Sequence, residues 1–362
     1  MLAFILKQFG LNYQHCTVQQ FDSGLINKTW KIQTQYKSYI LQKINNHIFK
    51  KPRDIDENLC MLKHYLLEQF PDYLFVAPIA SLNGETLITT TDGYFRLFNF
   101  VEGSHTINYV KTPGEAFEAA RQFGKFSRLL SGFDAEKLAY PLPNFHNLNL
   151  RYTQFIEACT NASISRLNQA KECINFIEAH HDILNTFNQI KNNKLIHNRV
   201  VHHDTKISNV LFNDSDKGLC VIDLDTVMPG IYISDVGDMV RTYLSPANEE
   251  EADLSKIFIR KDFFKAIYKG YYSEMGSALT KAEKDLFIYS GHFIIYMQAI
   301  RFLSDFLNND IYYGAKYLNH NLNRANNQIT LLKEYLAVNE DLEAIIQNTE
   351  EELKDSNLFK IK

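Results

Sequence analysis

Apolar positions follow two rhythms along the chain, and the change between them divides it. Residues 18–21, 30–32 and 38–44 (SYILQKI) are short, apolar-rich runs separated by polar turns, which predicts three strands. From Asp54 the spacing lengthens. Ile55, Leu59, Leu62, Leu66 and Phe70 recur every three or four residues, as one face of a helix requires. Residues 86–91 and 94–100 then read as strands joined by Asp92-Gly93, a strong hairpin signal. The run 98–103 (FNFVEG) leaves the second of these and ends at glycine, where a hinge is expected, with Phe100 and Glu102 beside backbone groups that could meet a purine base. Beyond Pro113 the rhythm is mainly helical: Phe117, Ala120, Gly124, Ser127 and Leu130 share a face, and residues after about 336 form an amphipathic closing helix. The expectation is an α+β chain with a β-rich amino-terminal lobe, residues 1–103, and a mainly helical lobe, residues 104–362.

One β-prone interruption breaks the helical half. Residues 210–212 and 219–222 are apolar runs separated by 213–218 (NDSDKG), a turn-rich segment, so they should pair as a hairpin. Asn209 enters the first strand where Asp223 leaves the second, which puts both at the open end. Neighbouring strands lie about 4.8 Å apart, close enough for two oxygen ligands to share a small cation at roughly 2.1 Å each. Asp204 stands five residues before Asn209, in the loop that feeds this end. A magnesium site beside a free carboxylate is what phosphoryl transfer needs: positioned metal, stabilised phosphate charge and an oriented acceptor hydroxyl. The His-x-Asp-x-x-x-x-Asn spacing, followed by a strand ending in Asp, matches the catalytic and metal loops of kinases. Asp204 would accept the acceptor's proton, while Asn209 and Asp223 would bind Mg2+. Asp225 would join them or orient a ligand through water, since strand alternation puts it on the face of Asp223.

HHDTKISNVLF followed by VIDLDTVMPG resembles the sugar-kinase branch of the aminoglycoside phosphotransferase and choline kinase superfamily, and within it the N-acetylhexosamine 1-kinases. SGLINKTW, YILQKIN, FVEG, LPNFHNL, DVGDMVR and IRFLSDFLNNDIYY extend the likeness from about residue 21 to 332. The resemblance implies a bilobal protein-kinase-like fold, ATP and Mg2+ as cofactors, and transfer to the anomeric hydroxyl of an N-acetylhexosamine. It also implies that Lys206 contacts the transferring phosphate, that Asp235 braces the metal loop and that Arg301 faces the sugar. A salt bridge from Arg301 to Asp305, four residues on, is the alternative. Choline, an aminoglycoside or homoserine are alternative acceptors, and a nucleotide-binding pseudokinase is the reading from another class.

The remaining candidates lie in the first lobe. Residues 22–29 (DSGLINKT) between two strands have the form of a nucleotide-covering loop, with Ser23, Gly24, Asn27 and Thr29 near the phosphates; an ordinary hairpin turn fits the residues alone equally well. In the third strand two registers compete for the phosphate-gripping position. The Val-x-x-Lys register selects Lys43, which we take, whereas the superfamily's Ile-Leu-Lys register selects Gln42. Glu57 would pair with the strand lysine, or would simply favour the start of its helix.

Composition narrows the alternatives. A formal charge of −4 gives no reason to expect nucleic acid or a membrane surface. The opening MLAFILKQFG is broken by Lys7 and lacks a signal-peptide cleavage site, and no run is long enough to span a bilayer, so a cytoplasmic protein is expected. The five cysteines have neither metal nor redox spacing, and the Walker, dinucleotide and zinc-protease motifs are absent.

Overall fold

The computed structural model describes residues 1–21, 26–193 and 195–355. The amino-terminal part comprises α1 (Leu2–Gln8), β1 (Thr17–Phe21), β2 (Lys28–Gln33), β3 (Ser38–Ile44), α2 (Pro52–Gln69), β4 (Ile88–Thr90) and β5 (Gly93–Asn99). Its strands form one antiparallel sheet in the order β1-β2-β3-β5-β4. Alternation gives the sheet two different faces. Trp30, Ile32, Leu41, Phe95 and Leu97 pack with Ile5 and Leu6 of α1 in a small core. Thr29, Lys31, Ile40, Gln42, Arg96 and Phe98 occupy the other face.

The apolar stripe read in α2 is buried as its spacing predicts, but it joins a different core. Ile55, Leu59, Leu62 and Leu66 pack with the helices of the carboxy-terminal part, together with Ile44 and Phe49. Asn58 secures the same junction: its amide donates to the carbonyls of Ala139 and Val227, and its Oδ1 accepts from the Ala139 N–H. The helix next to the sheet is therefore fixed to the other half of the molecule.

The carboxy-terminal part runs β6 (Ser104–His105), α3 (Pro113–Leu129), α4 (Leu148–Asn161), α5 (Ile164–Ala179), α6 (Asp182–Asn192), β7 (Arg199–Val201), β8 (Val210–Asn213), β9 (Gly218–Val221) and β10 (Met228–Gly230). Helices α7 (Ile233–Tyr243), α8 (Lys261–Met275), α9 (Lys281–Lys284), α10 (Phe287–Leu307), α11 (His320–Ala337) and α12 (Asn339–Asp355) complete it. Thr112 and Glu115 form a capping box at the start of α3, satisfying N–H groups that the first turn leaves free. The expected hairpin is β8–β9, extended by β6 and with a register shift between Leu211 and Phe212. A second pair, β7–β10, lies on the other side of the 202–209 loop and holds its entry. Helix α7 is pressed against the long apolar α10 at Gly237, where a Cβ would meet the Ser290 carbonyl at 2.2 Å. That contact fixes the height of the two aspartates on either side, Asp235 and Asp238. The fold is thus mixed α+β, a sheet-bearing amino-terminal region followed by a helical carboxy-terminal part. No helix among the described residues is long and apolar enough to cross a membrane, and all five cysteines are free.

Candidate active site

The loop between β7 and β8 is clamped from beneath by the first turns of α7. Asp235 accepts the backbone N–H groups of His202 and His203 at 3.1 and 2.7 Å, and Asp238 accepts that of Thr205 at 2.8 Å. Thr205 Oγ1 donates to the Asp235 carbonyl, and Tyr243 donates its hydroxyl to the Thr205 carbonyl, at 2.7 and 2.6 Å. Burial pushes the Asp235 carboxyl up to about 6, with the His202 charge and the two backbone donors opposing it. The His202 ring stands edge-on to Phe123 and Phe126, with Nε2 3.0 Å from the Ile222 carbonyl. His202 therefore holds the loop. With both neighbours buried, the chain at His203 turns through left-handed backbone, φ 66°, and Asp204 emerges half-buried above the clamp.

Four predicted residues come together there. Asn209 Nδ2 donates to the Asp204 carbonyl at 2.8 Å and to Oδ2 at 3.0 Å, and Lys206 Nζ lies 3.2 Å from the same Oδ2. Burial disfavours the charged Lys206, but the carboxylates of Asp204 and Asp238 outweigh it and raise its pKa. The Ile222 N–H donates to the Asn209 carbonyl at 2.8 Å, which sets Asp223 across the hairpin mouth from Asn209. Asp223 adopts φ 59° and its side chain is open to solvent. Crowding by the protein around this mouth, then by the carboxylates of Asp225 and Asp204, raises its pKa against the pull of Lys206 and Arg96. A carboxylate crowded by like charges is one that a cation would relieve. Asn209 commits its amide nitrogen to Asp204, which leaves its carbonyl oxygen as the ligand atom. These hard oxygens fit magnesium. Among the described residues no three His, Cys, Asp or Glu side chains gather into a metal cage, so nucleotide oxygens and water would complete the shell, as magnesium commonly requires.

Three sequence expectations need correction. Residues Leu224–Thr226 form a turn of 3-10 helix, so strand alternation does not carry Asp225 to the side of Asp223. Asp225 instead meets the amino-terminal sheet. It accepts from Asn27 Nδ2 at 2.7 Å and lies 2.5 Å from Arg96 Nη2, with both ion-pair side chains only 3% exposed. The Lys43 register also fails. Lys43 lies on the α1 face, its Nζ 5.7 Å from the centre of the Phe95 ring, because Leu41 two residues earlier is buried there. Gln42 faces the other way, and its Oε1 accepts from Arg96 Nε and Nη2 at 3.1 and 2.8 Å. Glu57 is exposed and makes no ion pair with Lys43 among the described residues. Its neighbour Asp56 turns inward instead: Oδ2 accepts from Thr86 at 2.9 Å, and burial raises its pKa while Thr86 and the Arg96 charge pull it down.

Of the covering loop, Ser23 and Gly24 lie outside the described residues. Asn27 is buried, bridging Asp225 and the Asn45 N–H, and Thr29 Oγ1 lies 3.5 Å from Gln42 Nε2. At the hinge the Phe100 N–H donates to the Ser38 carbonyl and its ring lies 4.0 Å beneath Lys31 Nζ, whereas Glu102 is exposed.

On the far side of Asp204 lies an aromatic and cationic wall. His203 Nδ1 is 3.2 Å from His146 Nδ1, and Phe145 stacks on His146 at 4.5 Å. Arg301 sits 5.5 Å from the Phe145 and Tyr313 ring centres and donates to Gln298 at 3.2 Å. The Asp305 alternative is not realised: that carboxylate accepts the N–H groups of Tyr312 and Tyr313 and the Asn321 amide. Arg151 holds the carbonyls of Asn144 and Phe145, and burial together with nearby Arg301 lowers its pKa. Neither Arg151 nor Arg301 has a carboxylate partner among the described residues. Arg96, Asp56 and Arg151 are the positions that sequence reasoning missed, whereas His146 lies within the LPNFHNL likeness. Only Arg96 carried a signal, a lone arginine inside the apolar strand YFRLFN.

The profile of the family described as "Phosphotransferase enzyme family" matches residues 17–258. Three solved structures illustrate the shared fold. A microcompartment-associated aminopropanol kinase is 13% identical, with a TM-score of 0.64 over 94% of this chain and 97% of that one. A spectinomycin phosphotransferase in complex with ADP and spectinomycin is 14% identical, with a TM-score of 0.59 over 92% and 97%. A choline kinase from Cryptosporidium parvum is 13% identical, with a TM-score of 0.55 over 99% and 97%.

Proposed function

Since the chain belongs to the phosphotransferase enzyme family, we propose that it transfers the γ-phosphoryl group of ATP, with Mg2+, to the anomeric hydroxyl of an N-acetylhexosamine such as GlcNAc or GalNAc. One observation carries the chemistry: Asp204 is held by Asn209 and Lys206 at the mouth of the hairpin, across from Asp223. Asp204 takes the hydroxyl proton, Lys206 offers positive charge to the moving phosphoryl group, and Asn209 and Asp223 would hold magnesium. The metal would supply charge neutralisation at the phosphate oxygens. The bound ADP of the spectinomycin phosphotransferase supports the nucleotide.

The acceptor side argues against the cationic alternatives. A cationic acceptor needs carboxylates or aromatic faces open to it, whereas Arg301 and Arg151 bring two guanidiniums without carboxylate partners to this wall, and Arg301 itself lies beside the Phe145 and Tyr313 rings. Their planar forks suit hydroxyl and amide oxygens of a neutral sugar, with Phe145 and Tyr313 beside them for its apolar face. Incubation with ATP, Mg2+ and a panel of sugars, choline and aminoglycosides tests this, with phosphorus NMR reading the position of the new ester. A 1-phosphate of an N-acetylhexosamine is the expected product. Phosphorylation of choline or an aminoglycoside alone would overturn the sugar reading.

A further inference from the structure

We propose that Arg96 of β5 is the cation that grips the nucleotide's phosphates, replacing a lysine on β3. The inference rests on the nucleotide reading above. It starts from register: Gln42 and Arg96 are direct partners across β3 and β5, so their side chains leave the same face of the sheet. That face also carries Thr29, Lys31, Ile40 and Phe98 and looks toward the Asp204 loop, since Arg96 reaches Asp225 from it. The β3 position that looks this way is a glutamine, which has no charge to offer. Lys43, the next residue on β3, points to the opposite face.

The surroundings of Arg96 prepare it for one more acceptor. Gln42 fixes the guanidinium through two hydrogen bonds to one oxygen, and Asp225 meets Nη2. The face of Phe98 lies 5.1 Å away. Nη1 is buried without a hydrogen-bond partner in a side chain 3% exposed. A buried donor left unmade costs free energy that an incoming oxygen recovers, and a guanidinium with its plane already set is a strong receptor for phosphate oxygens. The arrangement keeps the kinase logic of a strand cation facing a loop aspartate, with the cation carried one strand over.

A strut that only joins sheet to loop would hold Arg96 in the same place, so the test separates the two roles. Calorimetry on the full chain with Mg2+ compares ATP with adenosine, which lacks phosphates, in wild type, Arg96→Gln and Gln42→Lys/Arg96→Gln. Arg96→Gln should weaken ATP by about 10- to 100-fold while adenosine changes by less than about threefold. The double variant, which returns the charge to β3, should recover at least about fivefold. Equal weakening of ATP and adenosine assigns Arg96 to a strut and overturns the proposal, as does unchanged ATP binding. If Arg96→Gln lacks a cooperative thermal transition, Arg96→Lys takes its place. It should weaken ATP about three- to tenfold with adenosine unchanged, because lysine cannot use the Gln42 fork; parallel or absent changes again overturn the proposal. A wild-type protein that does not bind ATP would instead sink the nucleotide reading, and this inference with it.

Discussion

The loop of residues 202–209 and the sheet face opposite it hold their charged groups by different means. In the loop, carboxylates on one helix end accept backbone N–H groups, so Asp204 is presented by main chain that side-chain changes at 202, 203 or 205, proline apart, leave able to donate. On the sheet, Gln42, Arg96, Asp225 and Asn27 hold one another through side chains drawn from four separate segments. The first device is local and repeats within about 35 residues of sequence. The second exists only once β3, β5 and the segment after β9 have met. This difference separates what substitution should break in chemistry from what it should break in assembly.

The largest effect belongs to the loop. Asp204→Asn should lower turnover by about 10²- to 10⁴-fold, because the amide cannot take the acceptor's proton, while its thermal transition stays near that of the wild type. Near-normal turnover would remove Asp204 from its role. Asp223→Asn should act at another step, abolishing Mg2+-dependent nucleotide binding by calorimetry. A variant that still binds Mg·ATP would move the metal away from the hairpin mouth.

Next in size is the close approach that seats His203. A Cβ on Gly230 would fall 2.7 and 2.8 Å from Cε1 and Nε2 of that ring, which is buried against β10. Gly230→Ala should therefore cost about 1–3 kcal/mol of stability by overpacking, with turnover falling as the Asp204 loop shifts. Denaturant unfolding gives the first quantity. An unchanged midpoint would mean that the ring moves aside freely and that the loop is less tightly set than its hydrogen bonds indicate.

The same ring provides a pH test. Burial, then the neighbouring His202, depresses His203 to about 3, against about 6.5 in an unfolded chain. Below pH 6.5 the unfolded chain takes up a proton that the folded ring refuses, so this contribution to stability is lost as pH falls from 6.5 toward 3. It amounts to about 2 kcal/mol at pH 5. Asp235, raised to about 6, acts in the opposite sense, since the folded protein holds that proton more tightly between about pH 4 and 6. Comparing His203→Asn with wild type isolates the histidine, because asparagine tolerates the left-handed backbone there. The variant should lose less stability than wild type between pH 7 and pH 5; parallel curves would show that the ring titrates normally.

The contrast between the two regions also explains what could be read in advance. Asp204, Asn209 and Asp223 were legible because their geometry follows from a loop and one hairpin, whose turn residues and apolar runs lie side by side in sequence. The stripe of α2 was legible too, since period alone decides which of its residues are buried. Which face of β3 looks into the site was not, because alternation fixes only that Gln42 and Lys43 point opposite ways. The choice is made by α1, whose Ile5 and Leu6 claim the face of Leu41, and by Arg96 pairing with Gln42 from 54 residues away. Asp225 was misread for a related reason: the strand ends at Val221, and the left-handed turn at Asp223 starts a helical turn that points the next acid elsewhere.

The smallest effect is the sharpest test of that register. Lys43 packs its stem against Gly93, where a Cβ would lie 3.0 Å from its Cε, and carries its charge on the side of the sheet away from Asp225. Glu57 is exposed on α2. Lys43→Ala and Glu57→Gln should each shift stability by no more than about 0.5 kcal/mol, as surface changes usually do. Each should leave the KM for ATP within about twofold, since Lys43 lies on the sheet face away from Asp225 and Glu57 is exposed on α2. A tenfold rise in the KM for ATP in Lys43→Ala, with the acceptor KM unmoved, would require β3 to present its other face to the nucleotide. Gln42 would then have no reason to hold Arg96, and the phosphate-gripping cation would return to the third strand.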